Sequence, residues 1–156
     1  MSVRVTLAHE ALDPFAELAR FRGDDSSAGA IASFVGYCRD TGATGAVTAL
    51  ELEHYPGFTE QEIMRMASDV GARASVSALL VVHRVGVVAP GEAIVLVAAK
   101  SPHRAEAFLA VETLMDYLKT DAPFWKREHR SDGASWIEPT EEDRRRRRAR
   151  DSEVEQ

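Results

Sequence analysis

The runs Ala78-Leu79-Leu80-Val81-Val82 and Ala93-Ile94-Val95-Leu96-Val97-Ala98-Ala99 decide the fold. Each is apolar without interruption, short and rich in valine, which is the pattern of a strand buried inside a domain. Gly86 and the turn-forming Ala89-Pro90-Gly91-Glu92 separate them, so they are expected to be two central strands of one sheet.

Working outward, Val3, Val5 and Leu7 alternate with polar residues as a half-buried strand does, and Asp13-Pro14 supplies a cap and first-turn proline for a short helix. Residues 23–27 read as a surface loop. Ala28 to Gly36 is strand-like, Thr41 to Gly45 breaks the pattern, and Val47 to His54 resumes it, so these two runs are expected to pair as a hairpin-like unit. Thr59 and Glu62 have the spacing of a capping box, and Ile63, Met66, Ala67, Val70 and Ala74 follow at helical intervals. Ser101-Pro102 opens a second long helix with Ala105, Phe108, Val111, Met115 and Leu118 on one face, ending before Asp121-Ala122-Pro123. Phe124 to Glu128 and Ser135 to Glu138 read as late strands. The mixture predicts an α+β domain of two layers with a mixed, largely antiparallel sheet over residues 1–138, followed by a charged, flexible tail over residues 139–156.

Composition excludes several classes of function. A chain of 156 residues, 45% hydrophobic and 28% charged, is long enough to bury a core as one domain. Its single cysteine, Cys38, allows neither an internal disulfide nor a thiolate metal site, and suits a reducing, cytoplasmic setting. The N-terminus lacks the pattern of a leader, and no window approaches the roughly 20 apolar residues of a membrane span. The net charge of -6 argues against nucleic acid as a partner. The tail pairs Arg144 to Arg148 and Arg150 with Glu141, Glu142, Asp143, Asp151, Glu153 and Glu155, so its arginine run is neutralised and read as a solvated end.

No metal-ligand spacing, P-loop, dinucleotide fingerprint or nucleophile elbow is present. What remains is a set of basic residues at element ends: Arg39 after a strand, His103 and Arg104 in the first turn of the second long helix, Lys119 in its last turn, and Lys126 and Arg127 on the next strand. A helix start with His103 and Arg104 suits a phosphate or carboxylate. Lys119 and Lys126 lie seven residues apart across a proline-containing turn, which can bring both ammonium groups to one pocket, where each lowers the other's pKa. Taken singly, each of these residues also fits an ordinary surface role.

The chain resembles the large, catalytic subunit of molybdopterin synthase. The resemblance lies in Gly29-Ala30-Ile31, Phe34-Val35-Gly36 with Arg39, Leu52-Glu53-His54-Tyr55-Pro56-Gly57, His83-Arg84-Val85-Gly86 and Pro90-Gly91-Glu92. It continues through Ser101-Pro102-His103-Arg104, Met115-Asp116-Tyr117-Leu118-Lys119, Ala122-Pro123-Phe124-Trp125-Lys126-Arg127-Glu128 and Trp136, spanning residues 3–138. It implies an α/β hammerhead-type subunit that forms a large-subunit dimer and binds a small ubiquitin-like sulfur-carrier subunit at each end, giving a heterotetramer. It further implies sulfur transfer from the carrier's C-terminal thiocarboxylate to cyclic pyranopterin monophosphate, with no metal or organic cofactor.

By the same resemblance Lys119 and Lys126 are catalytic, Lys119 nearer the carrier's tail and Lys126 on the substrate. Arg39, His103, Arg104, Arg127, Glu128, Tyr37 and Cys38 fall at substrate-binding positions. The sequence departs from the family pattern at Tyr37, where many members have lysine, and at Thr140, where many have an arginine directed at the neighbouring protomer. His54, His83 and His129 are expected to be structural, and Met64, Met66 and Met115 to fill core. Two other classes fit the same residues: a non-catalytic module binding an anionic metabolite, and a structural partner in a larger assembly.

Overall fold

The structure, a computed structural model, describes residues 1–152. Four strands, β1 (Ser2–Ala8), β2 (Ala30–Tyr37), β6 (Ala78–Arg84) and β8 (Ala93–Ser101), form the main sheet in the order β1-β6-β8-β2. β1 runs parallel to β6 and the other pairs are antiparallel, as the mixed, largely antiparallel expectation requires. The two valine-rich runs are its central pair.

Both faces of that pair are covered, which is why neither run alternates. Leu79, Val81, Val97 and Ala99 face α2 (Phe58–Ala74) and α3 (Arg104–Thr120), meeting Ile63, Val70 and Leu114. Leu80, Val82, Leu96 and Ala98 face the opposite way, toward Leu18 and Phe21 of α1 (Pro14–Arg22). α1 begins as its sequence requires, with the Asp13 carboxylate accepting from the Phe15 and Ala16 amides at 3.1 Å.

A second sheet, in the order β10-β9-β5-β7, combines β5 (Ala49–His54), β7 (Gly86–Val88), β9 (Phe124–Arg130) and β10 (Gly133–Ile137). β3 (Thr41–Gly42) and β4 (Gly45–Ala46) make a small ribbon. The expected hairpin between the runs flanking residues 41–45 does not form. β2 pairs with β8 and β5 pairs with β7 and β9, so the two runs sit in different sheets. Periodicity identified both strands, but pairing is decided by tertiary burial: Leu50 and Leu52 close a separate small core with Cys38, Val47 and Val88.

Both long helices start differently from the expectation. α2 follows Gly57, whose φ of 83° few other residues adopt, and the buried Thr59 is a tie rather than a cap. Its hydroxyl accepts from the Tyr55 amide at 3.0 Å and donates to the Pro123 carbonyl at 3.1 Å, fastening the start of β9 to α2. α3 has His103 at its N-cap, and the Ser101 hydroxyl accepts from the His103 amide at 3.3 Å instead of capping the helix itself.

Within the charged tail, residues 141–152 form α4 (Glu141–Ser152), lying against α3. Arg146 and Arg150 bind the buried Asp116 at 3.1 and 2.7 Å, and Arg147 binds Asp121 at 2.9 Å with its guanidinium 3.9 Å from the centre of the Tyr117 ring. Arg146, Arg147 and Arg150 thus reach α3 and its end, which local charge counting cannot reveal, while Arg145, Arg147 and Arg148 also pair with Glu142, Asp151 and Glu141 of the tail itself. Glu153 and Glu155 lie outside the described residues. Among the described residues no helix is long and apolar enough to cross a membrane.

Gly29, just before β2, packs closely on the backbone after β8. Its amide donates to the Ser101 carbonyl at 3.1 Å, and a Cβ there would overlap the Pro102 carbonyl oxygen. Gly29→Ala is expected to destabilise the fold by about 1–3 kcal/mol through forced backbone displacement. A denaturation midpoint equal to wild type in urea would contradict that packing.

Candidate active site

α3 and β9 bring Lys119 and Lys126 together. Lys119 occupies the last turn of α3; the chain then turns through Asp121-Ala122-Pro123 and returns as β9, whose start Thr59 holds in place. On β9 the side chains alternate, so Lys126 and Glu128 face inward while Trp125, Arg127 and His129 face the other way. Arg39, just beyond β2, completes the group. Three adjoining cavities of about 360, 210 and 290 Å³ are each lined by Arg39, Lys119 and Lys126. Cavities of this size lined by three cationic side chains suit a small anionic molecule.

The first of these three has an apolar wall of Phe34, Ile94, Met115 and Leu118, with His83 and Tyr37 as further lining. His83 is buried and stacks on Phe124 with ring centres 4.1 Å apart. Its Nδ1 lies 2.8 Å from the Arg84 carbonyl, which can only accept, so Nδ1 carries the proton. Burial holds its pKa down at about 4, and the two lysines push the same way. The ring is therefore a neutral wall at physiological pH. His83 and Met115, read from sequence as structural or core-filling, belong to the site's lining. The motif His83-Arg84-Val85-Gly86 was the available signal, but a strand histidine with no metal partner gave no chemical reason to select it.

Lys126 is partly buried. That desolvation, reinforced by the Lys119 ammonium, lowers its pKa to about 8. At neutral pH about a tenth of it is then a free amine. The sign for stability follows: between pH 8 and 10.5 the unfolded chain binds the proton that the folded chain has lost, so stability rises with pH there, and below pH 8 the buried charge is a fixed penalty. Lys126→Met is accordingly expected to stabilise the fold at pH 7 by about 1–2 kcal/mol after allowance for solvent screening, with the gain shrinking toward pH 10. Thermal unfolding at both pH values checks this; a lower melting temperature at pH 7 would contradict it.

The other expected residues divide. Tyr37 lines the first two cavities, and Cys38 and Glu128 line the second. The Cys38 thiol is buried, and burial together with Glu128 and Glu92 pushes its pKa up, so it is not an activated sulfur. Glu128 meets Arg130 at 3.3 Å. Arg127 does not join the cavity: its guanidinium binds Glu51 at 2.9 Å and lies 5.0 Å from the centre of the Trp136 ring, on the opposite face of β9. His103 and Arg104 are exposed at the other end of α3, about 22 Å from Lys119 along the axis. Within one chain they cannot share an anion with the lysine pair.

The MoaE protein family model matches residues 7–121, running from β1 to the end of α3. The chain belongs to the MoaE family. A MoaE-family relative, the molybdopterin synthase catalytic subunit of Caulobacter vibrioides, is 49% identical over 140 residues, covering 90% of this chain and 92% of its own. The MoaE protein structure from Burkholderia ambifaria superposes with a TM-score of 0.75 at 42% identity, covering 89% of this chain and 90% of that one. A Helicobacter pylori structure, a complex of subunits 1 and 2 of molybdopterin-converting factor, shares the fold with a TM-score of 0.71 at 21% identity, covering 88% and 90%. This MoaE-family chain is thus a catalytic large subunit of molybdopterin synthase, a sulfurtransferase of molybdenum cofactor biosynthesis.

Proposed function

We propose that the Lys119–Lys126 pair is the catalytic centre at which sulfur passes from the C-terminal thiocarboxylate of a small ubiquitin-like carrier subunit to cyclic pyranopterin monophosphate. The observation that carries this is the convergence of both lysines and Arg39 on three adjoining cavities, one of them with an apolar wall. Two sulfur atoms are delivered in successive steps, opening the cyclic phosphate and forming the dithiolene. Each attack builds negative charge on oxygen and phosphate, and cations already fixed around the reacting atoms stabilise such charge. Arg39 holds the phosphate side, Tyr37 and Glu128 border it, and Lys126, with its lowered pKa, holds or releases a proton at its Nζ.

The chain works as a large-subunit dimer carrying one small subunit at each end, in the cytoplasm. In such a dimer His103 and Arg104 serve a pocket only if the second copy brings its α3 start near the first copy's lysines. The test counts sulfur. With the purified complex in single turnover, mass spectrometry is expected to show two carrier thiocarboxylates converted to carboxylates for each molybdopterin formed. Tight binding of the pterin with no thiocarboxylate consumed would replace this reading with that of an anionic-metabolite module.

A further inference from the structure

The cavity of about 290 Å³ that contains Arg39, Lys119 and Lys126 is also lined by Asp143, a residue of the charged tail. Its place there is fixed from both sides. At the start of α4 the Thr140 amide donates to the Asp143 carboxylate at 2.9 Å, and the Asp143 amide donates to the Thr140 hydroxyl at 3.1 Å, a reciprocal capping box. Beyond it, Arg146, Arg147 and Arg150 bind α4 to Asp116 and Asp121 of the α3 end that carries Lys119. The same helix that presents Lys119 therefore positions the carboxylate opposite it.

We propose that Asp143 is a positioning residue of the sulfur-transfer site, a fixed carboxylate that shares the cavity with both lysines and limits the positive charge an incoming anion meets. This rests on the reading of the lysine pair as catalytic. The titratable groups lining the cavities around the pair are Tyr37, Cys38 and Arg39 from β2 and its extension, His83 from β6, Glu128 from β9, Glu138 after β10, and Asp143 and Arg144 from α4. His83 and Cys38 are uncharged at neutral pH, and Glu128 is engaged by Arg130. Asp143 is the carboxylate whose field reaches Lys126 and raises its pKa against burial and Lys119. In return, although burial pushes Asp143 up, the bonds to Thr140 and the two lysines pull it below its ordinary value.

The substitution that isolates the charge is Asp143→Asn, which keeps an oxygen for the Thr140 amide. In the full chain, with lysine side chains labelled with carbon-13, the Lys126 titration midpoint is expected to fall in this variant by about half a unit, roughly threefold in the ratio of ammonium to amine. The alkaline limb of the pH–rate profile for sulfur transfer shifts with it, and Asp143→Glu restores part of the shift. Glu141→Gln removes the same charge from the same helical turn, where it pairs with Arg148 at 2.9 Å, and is expected to leave the midpoint in place. An unmoved midpoint in Asp143→Asn, or an equal shift in Glu141→Gln, overturns the proposal whatever the activity of the wild type. A wild type that transfers no sulfur while its midpoint still responds to Asp143→Asn overturns the sulfur-transfer reading, and with it the role given to Asp143.

Discussion

Lys119→Ala is expected to reduce the single-turnover rate of sulfur transfer on the order of 100- to 1,000-fold, the range seen when one preorganised charge donor is removed from a site where negative charge develops. The side chain is exposed at the last turn of α3 and packs no core, so the fold and the thermal transition should change little. The loss belongs in the chemical step, with binding of the carrier subunit largely retained. Lys119→Arg separates charge from proton transfer: it keeps the cation but has no readily titrated amine. If its pH profile matches that of the wild type, proton shuttling by Lys119 is excluded and the residue acts by charge alone. A Lys119→Ala variant with near wild-type turnover would remove Lys119 from the mechanism.

The largest structural effect is expected from Leu114→Ala. Leu114 is fully buried on α3, between α2 and the main sheet, and the substitution should cost about 2–5 kcal/mol through lost burial and an incompletely collapsed void. Because α3 carries Lys119 on one turn and Asp116, the anchor of α4, on another, a loosened α3 should also weaken sulfur transfer at temperatures where the variant is still folded. Urea denaturation followed by circular dichroism measures the first effect. A loss below about 1 kcal/mol would mean that the helix can close the gap, contrary to the packing seen.

Much of this architecture was legible locally. The valine-rich runs, the Asp13 cap of α1 and the late strand carrying Lys126 depend on neighbouring residues, and they fold as read. The convergence of Lys119 and Lys126 was legible for the same reason, since a helix end and the strand that follows it are joined by a short turn. What escaped were decisions made at a distance. The partner of β2 is β8, more than fifty residues away, chosen by burial rather than by the intervening turn. The tail is partly self-neutralised, as Arg145 and Arg148 pair with Glu142 and Glu141, yet Arg146, Arg147 and Arg150 bind Asp116 and Asp121, which no count within residues 139–156 reveals. Arg127 looked like a neighbour of Lys126 in chemistry as well as in sequence, but strand alternation sends it to Glu51 on the other face. His103 and Arg104 share a helix with Lys119, and the length of that helix keeps them apart.

The most direct measurement of the central claim is reconstitution. The purified chain is mixed with a thiocarboxylated carrier subunit and cyclic pyranopterin monophosphate, and molybdopterin is followed as its fluorescent oxidation product, with Lys119→Ala and Lys126→Ala in parallel. Product from the wild type that depends on the thiocarboxylate and is nearly lost in both variants is the expected result. A stable complex of chain, carrier and pterin that forms no molybdopterin, or variants as active as the wild type, would contradict a catalytic role for the lysine pair.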